Sequence, residues 1–371
     1  MTIARPSPSS TQPWNARALP ESWSPLWSGL ARISGVLPPA DEPWTRTHDR
    51  RAAPPVIPPS LRYPAQGPRF DVEVAPGGYA WWYIDATSDC GRYGLTIIAF
   101  IGSVFSPYYK QSGRGDPGNH CALNVSLTGP RAGAWAMTER PSAALRRDAA
   151  TLEIGPSGLH WDGEALHIHI DEHSAPLPFP VRGIVCIRPE AIGATGFHLD
   201  PAGCHRWHPI APRARVEVAM AHPGTAWRGS GYFDSNFGDE ALEDGFVDWH
   251  WSRAHLRRDV AVLYEGTRRS GKQFALALKM DGQGRWHDAP PPPRHRLPRS
   301  KWGIERLTRA DADARPQVRA SWIDAPFYSR SALSTHWFGE PACAVHESLS
   351  LDRFRSPVVQ AMLPFRMPRL P

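Results

Sequence analysis

Between Gly229 and Gly238 the chain reads Gly-Ser-Gly-Tyr-Phe-Asp-Ser-Asn-Phe-Gly. Side chains alternate along a strand, so Tyr232, Asp234 and Asn236 fall on one face and Phe233, Ser235 and Phe237 on the other. A phenol, a carboxyl and an amide in a row, inside a run fit for burial, need partners; they mark a site or a hydrogen-bond network. The competing account is that Asp234 and Asn236 close a turn or cap a neighbour. Upstream, Cys204-His205-Arg206-Trp207-His208 puts His205 and Trp207 on a shared face. If the two segments are neighbouring strands, an imidazole, an indole, a phenol and a carboxyl converge. Those groups suit protonation of an alkene. A carboxylic acid kept neutral by apolar burial donates the proton, aromatic faces stabilise the cation, and a neutral histidine orients the capturing water. The competing account makes His205 and Trp207 ordinary wall residues, and spacing alone does not separate the two.

Other clusters carry less. His167, His169, Asp171 and His173 share a strand face and nearly match the HxHxDH metal signature of metallo-β-lactamase-like hydrolases. Glu172 interrupts that pattern, and plain alternation with Ile168 and Ile170 explains it as a solvated face, so no metal is expected. Trp249 and Trp251 share one face and Asp248 and His250 the other, an arrangement that suits barrel core. There is no GxxxxGK[ST], no GxGxxG opening a helix and no GxSxG elbow. Phosphate cradling, dinucleotide binding and serine hydrolysis therefore lack a basis.

The elements that must position these residues read as short strands. Forty prolines and 31 glycines in 371 residues leave little room for long helices. Sixteen Trp, 13 Phe and nine Tyr supply large cores. Phe70 to Val74, Tyr79 to Ala86 and Arg92 to Ile101 open a series that continues through Val181 to Arg188. A second series runs from Ala214 through Thr225 to Phe237, Phe246 to Ala254 and Phe274 to Met280, and on to Ala342 to Leu349. Strands at this spacing make sandwiches or barrels. Residues 1–60 are rich in Pro, Ser and Arg and read as extended or disordered. Helix is expected only at Leu351 to Phe354 and Val358 to Leu363, within a basic, apolar tail carrying Arg353, Arg355, Arg366 and Arg369. The net charge of +6 suits anionic surfaces, yet its arginines are scattered, which argues against nucleic acid. Five cysteines without a CxxC read as buried thiols in a reducing compartment. No apolar stretch is long enough to span a bilayer as a helix, so a cytosolic or peripherally bound protein is expected.

Gly231-Tyr232-Phe233-Asp234-Ser235-Asn236-Phe237-Gly238, His205-Arg206-Trp207, Asp248-Trp249-His250-Trp251 and Gly78-Tyr79-Ala80-Trp81-Trp82-Tyr83 together resemble the carotenoid 1,2-hydratase (hydroxyneurosporene synthase) family over about Pro68 to Leu363. The resemblance implies an all-β chain of two lipocalin-like antiparallel barrel or sandwich domains, 61–212 and 213–371. It also implies a cofactor-independent lyase adding water to the terminal C1–C2 double bond of an acyclic carotene such as neurosporene or lycopene. Asp234 matches the family's proton donor, and His205, Trp207 and Tyr232 match its other catalytic positions. Trp249, Trp251, Trp227, Phe233 and Asn236 are expected to contact substrate. A C40 hydrocarbon must be drawn from a bilayer, so peripheral attachment to the cytoplasmic side of a membrane is expected; the Arg-flanked tail suits docking there and packing on the body equally. Two alternatives stay open: a carrier that holds an apolar ligand without chemistry, and a terpenoid cyclase or isomerase using the same acid.

Overall fold

The computed structural model describes residues 60–63, 66–130 and 133–370. The expectation for residues 1–60 lies outside the described residues, apart from Ser60. Apolar–polar alternation and frequent Gly/Pro turns yield antiparallel strands throughout. The larger sheet runs in spatial order Ala134–Arg140, Cys121–Thr128, Gly94–Ile101, Tyr79–Ser88, Thr225–Gly238, His205–His222, Pro180–Pro189, Leu166–His173, Ser157–Trp161, Thr151–Ile154, Leu145–Arg147. Thr195–His198 pairs with His205–His222 and with Ser60–Arg62.

This sheet curls into a near-closed barrel around one core. Trp82, Ile84, Ile97, Ile168, Val185, Val216 and Phe233 point into it. Its edge is clasped by a buried fork in which Arg140 on the edge strand donates to both carboxylate oxygens of Glu172, at 3.0 and 2.8 Å; Ser157 adds a 2.7 Å hydrogen bond to the same carboxylate.

The second sheet is ordered Trp286–Asp288, Gln273–Met280, Val260–Arg268, Phe246–His255, Glu340–Ser350, Tyr328–Trp337, Gln317–Asp324. One of its faces covers a small core with Leu263, Leu333 and Trp337 beside the hairpin Arg294–Leu297/Arg306–Arg309. The other face packs against the outside of the barrel. That junction holds a third core containing Tyr79, Trp81, Tyr83, Trp207, Tyr232, Trp249, Trp251 and Phe274, closed at one end by Phe354, Val359, Leu363 and Met367 of the C-terminal tail.

The change of sheet falls between Gly238 and Phe246, not at the expected 212/213 boundary. His205–His222 passes through that boundary as one 18-residue strand. Pro209 and Pro212 look like breaks in the sequence, but register shifts between His208 and Ala211 and between Ala211 and Ala214 absorb them as bulges. Phe70 to Val74 alternates in burial yet forms no ladder; Phe70 belongs to the barrel core, and Val72 and Val74 pack against it. The two terminal helices form as expected, Leu351–Arg355 and Pro357–Met362. The helix Pro107–Gln111 was not anticipated, although Ser106 at the N-cap, accepting from the Tyr109 N–H, and Pro107 at the first position are its standard signals.

The Arg140–Glu172 fork makes a stability test. Arg140→Ala leaves a fully buried carboxylate without its partner, and a loss of about 3–5 kcal/mol is expected in urea unfolding; a loss below about 1 kcal/mol would mean the barrel edge is held by the strands alone.

Candidate active site

Asp234 lies in the junction core and is 3 % exposed. Thr225–Gly238 is sandwiched between Tyr79–Ser88 and His205–His222, so Asp234 stands opposite Tyr83 on one neighbour, and Asn236 stands opposite Trp207 on the other. Its Oδ2 accepts from the Trp207 indole N–H and from the Tyr232 hydroxyl, each at 2.7 Å. The Asn236 amide lies 3.4 Å from Oδ1. Every one of these partners is neutral, and no Lys or Arg pairs with the carboxyl among the described residues. Burial pushes Asp234 up to about 8, against the lowering effect of the Trp207 and Tyr232 hydrogen bonds, and the nearby Glu347 and Asp85 carboxyls push the same way. At neutral pH the group is mostly a carboxylic acid. Its proton needs an acceptor, and the buried Oδ1 of Asn236 has no partner. Turning that amide over places its carbonyl against the Asp234 Oδ1–H and satisfies both.

His205 shares the Trp207 face, two residues along. It is fully buried, and its ring stacks on Tyr79 and tilts against Phe246. Nδ1 lies 2.8 Å from the Tyr79 hydroxyl and Nε2 lies 3.1 Å from Glu240. Burial lowers its pKa, so the ring is neutral. The tautomer that fits donates from Nε2 to the carboxylate and accepts the tyrosine proton at Nδ1. Two glycines make room: a Cβ on Gly238 would strike the Tyr79 ring, and one on Gly245 would strike His205 Nε2. The glycine that closes the Asp234 motif is thus a packing requirement of the tyrosine that holds the histidine.

Beside this cluster the junction opens into a cavity of about 450 Å³. Aromatic and aliphatic side chains dominate its wall, among them Trp81, Phe100, Trp135, Trp249, Phe327 and Leu363. Tyr83, Tyr328 and Glu347 add a polar patch. The Tyr83 hydroxyl donates to Glu347 Oε1 at 2.6 Å, Tyr328 hydrogen-bonds the same carboxyl, and Arg330 Nε lies 3.3 Å from it. Behind the patch, Arg253 donates to both oxygens of Asp85 (2.8 and 3.0 Å), Arg330 donates to Asp85 at 2.7 Å, and the Arg253 guanidinium lies over the Tyr232 ring. Asp234 itself stands behind the cavity wall, next to its cross-strand neighbour Tyr83.

Asp234, Tyr232, Trp207 and Asn236 therefore meet as one cluster. His205 joins it through the shared strand face and Tyr79, without a hydrogen bond to Asp234. Trp251 packs edge-on to Tyr232 and Tyr83, with ring centroids 5.0 and 5.6 Å apart, and Trp249 lines the cavity. Phe233 and Trp227 correct the expectation: they lie on the opposite face, with the barrel core, because one residue along a strand reverses the face. The histidine-rich strand is likewise spent locally, His167 on Asp162 at 2.8 Å and Asp171 on Arg182 at 2.6 Å. Glu347, Tyr83, Asp85, Arg253 and Arg330 escaped the sequence reading. Tyr79, Trp81, Tyr83 and Asp85 alternate on one face in the same way as the Asp234 run, and that was the available signal.

A barrel of lipocalin type is thus packed on a second sheet, with Asp234 buried beside an apolar cavity at the junction. Solved structures share the fold: a putative AttH protein of Nitrosomonas europaea (TM-score 0.53, 15% identity, 81% of this chain and 99% of that one) and CghA with Sch210972 (TM-score 0.52, 11% identity, 81% and 96%). The family described as carotenoid hydratase CrtC matches residues 97–371. Acyclic carotenoid 1,2-hydratases are similar across most of their length: that of Thiocapsa roseopersicina is 53% identical over 311 residues (83% of this chain, 77% of the relative), and that of Rubrivivax gelatinosus is 44% identical over 308 (81% and 76%). The chain belongs to the carotenoid hydratase family.

The protonation state of Asp234 is measurable through stability. Between pH 3.8, the ordinary value, and about 8 the folded carboxyl keeps a proton that the unfolded chain releases. This group therefore lowers stability as pH rises across that window, by up to about 1.4 kcal/mol per pH unit. Asp234→Asn removes the term, so its stability relative to wild type should grow from pH 5 to pH 8 in urea titrations; parallel curves would mean the carboxyl is charged in the fold.

Proposed function

We propose that the protein hydrates the terminal C1–C2 double bond of an acyclic carotene by acid catalysis, with Asp234 as the proton donor. Membership of the family makes the chain a carotenoid 1,2-hydratase, a hydro-lyase. The observation that carries the mechanism is a carboxyl buried against neutral donors only, with its pKa raised to about 8. A carrier of apolar ligands has no need of such a group, since burying an acid without a charged partner works against the fold.

In this reading the chain end enters the cavity and its tip approaches Asp234 alongside the Tyr83 ring. Asp234 protonates C2, and the positive charge develops at C1, the tertiary centre. The faces of Tyr83 and Trp249, which line the cavity, stabilise it. Trp207 and Tyr232 stabilise the carboxylate left behind, since both donate to Oδ2. His205, with both ring nitrogens engaged, acts as a positioning residue for Tyr79 and for the strand that carries Trp207. A cavity of about 450 Å³ is at the small end for ligand sites and suits one end of a long polyene.

The rest of the polyene leaves by the tail, and here the docking surface is proposed. Val359, Leu363 and Met367 line the cavity, while Val358 (69 % exposed) and Phe365 (72 %) on the same segment face outward with Trp302, among Lys301, Arg355 and Arg366. Exposed apolar groups ringed by basic ones suit an anionic bilayer surface. No helix among the described residues is long and apolar enough to cross a membrane.

Two outcomes are expected. Purified protein given lycopene or neurosporene without added cofactor should yield a product heavier by one water in mass spectrometry, falling off above pH 8 as Asp234 ionises, and Asp234→Asn should lose about 10²–10⁴-fold in rate; near-wild-type turnover by that variant would remove Asp234 as the acid. The double variant Val358→Ser/Phe365→Ser should lose activity several-fold on liposome-dispersed substrate while matching wild type on detergent-dispersed substrate, and equal loss on both would place the docking surface elsewhere.

A further inference from the structure

Hydration needs a second group, one that holds the water and takes its proton, and both nitrogens of His205 are already engaged. Among the described residues, two carboxyls line the cavity. Asp324 uses its oxygens on the backbone N–H groups of Lys301 and Trp302 at the rim. Glu347 sits inside, 8 % exposed, fixed by the Tyr83 hydroxyl at 2.6 Å and by Tyr328. Tyr83 stands opposite Asp234 across the ladder, so one tyrosine neighbours Asp234 along the sheet and holds Glu347 through its hydroxyl. The charges behind Glu347 matter too. Arg253 and Arg330 are both buried, and Asp85 balances only one of them. A carboxylate at Glu347, in ion-pair contact with Arg330, makes the buried set neutral.

We propose that Glu347 is the base of the reaction: it orients the water that captures the C1 cation and takes up that water's proton. The inference rests on the hydratase reading above. The steps balance. The Asp234 proton forms the C2–H bond as the π bond breaks and the electron pair on the water oxygen forms the C1–O bond. One water proton then passes to Glu347, and its transfer back to Asp234 restores both carboxyls. Nothing is oxidised or reduced. A negative charge facing the cavity also stabilises the cation before capture. Burial raises the Glu347 pKa against the lowering effects of Arg330 and the two tyrosines, which makes the carboxylate a stronger base.

Protonation and capture separate in deuterium oxide. Glu347→Gln should lose 10²-fold or more in hydration, yet its recovered lycopene should still gain deuterium at C2, because the cation forms and then sheds a proton; Asp234→Asn should lose both. Glu347→Asp should recover part of the hydration rate. Should Glu347→Gln fail to fold, Tyr83→Phe removes the donor that fixes the carboxyl, and slower hydration with label uptake preserved is expected there too. A folded Glu347→Gln that hydrates within twofold of wild type overturns the role, and so does one that loses label uptake and hydration in equal measure. Wild-type protein that neither labels nor hydrates any acyclic carotene would bring down the hydratase reading itself, a result distinct from either of those.

Discussion

The structure depends on the exclusion of water from one carboxyl. Two neutral side chains, Trp207 and Tyr232, donate to Asp234, and their hydrogen bonds taken alone favour the ionised form. Burial outweighs them. Moving an acid from 3.8 to about 8 corresponds to a bias of roughly 6 kcal/mol toward the protonated state. No single strand supplies that desolvation. It requires the outside of the barrel to be covered by the second sheet, so that a surface that would be wet in an isolated barrel becomes the interior of the molecule. The tryptophans and tyrosines at the junction are large because they must fill this space, and their faces are then the walls a hydrocarbon meets.

The same junction gives two acids contrasting surroundings. Asp234 has neutral neighbours and keeps its proton, whereas Glu347 has Arg330 beside it and a pair of buried guanidinium groups to balance. Two carboxyl groups in contrasting environments are the usual way one site runs acid and base chemistry at a single pH. Tyr83 links them: its strand pairs with that of Asp234, and its hydroxyl donates to Glu347.

How much of this was legible in the sequence depended on distance along the chain. Tyr232, Asp234 and Asn236 were readable because period-two alternation is local and the three lie within five residues. His205 and Trp207 joined them because a hairpin connects their strands, so proximity in sequence became proximity in space. Phe233 and Trp227 were misplaced for a local reason: they flank the motif but face away from it. Glu347 was invisible because its partners Tyr83 and Arg330 come from another sheet and another strand, 264 residues from the first of these. Alternation can mark a polar residue on an apolar face but not the face it will meet. The strand from His205 to His222 runs across Pro209 and Pro212 because bulges carry it past them, a tertiary feature that local pattern does not reveal.

The acid strand is laid down in the middle of the chain, while the wall that dries it arrives last, with Glu340–Ser350 and the helices after it. During synthesis a barrel completed through Gly238 would expose an ordinary, ionised aspartate to solvent. Glu347 and the tail residues that close the cavity all lie C-terminal to residue 339, so the junction is complete only when the closing segment reaches back to the barrel.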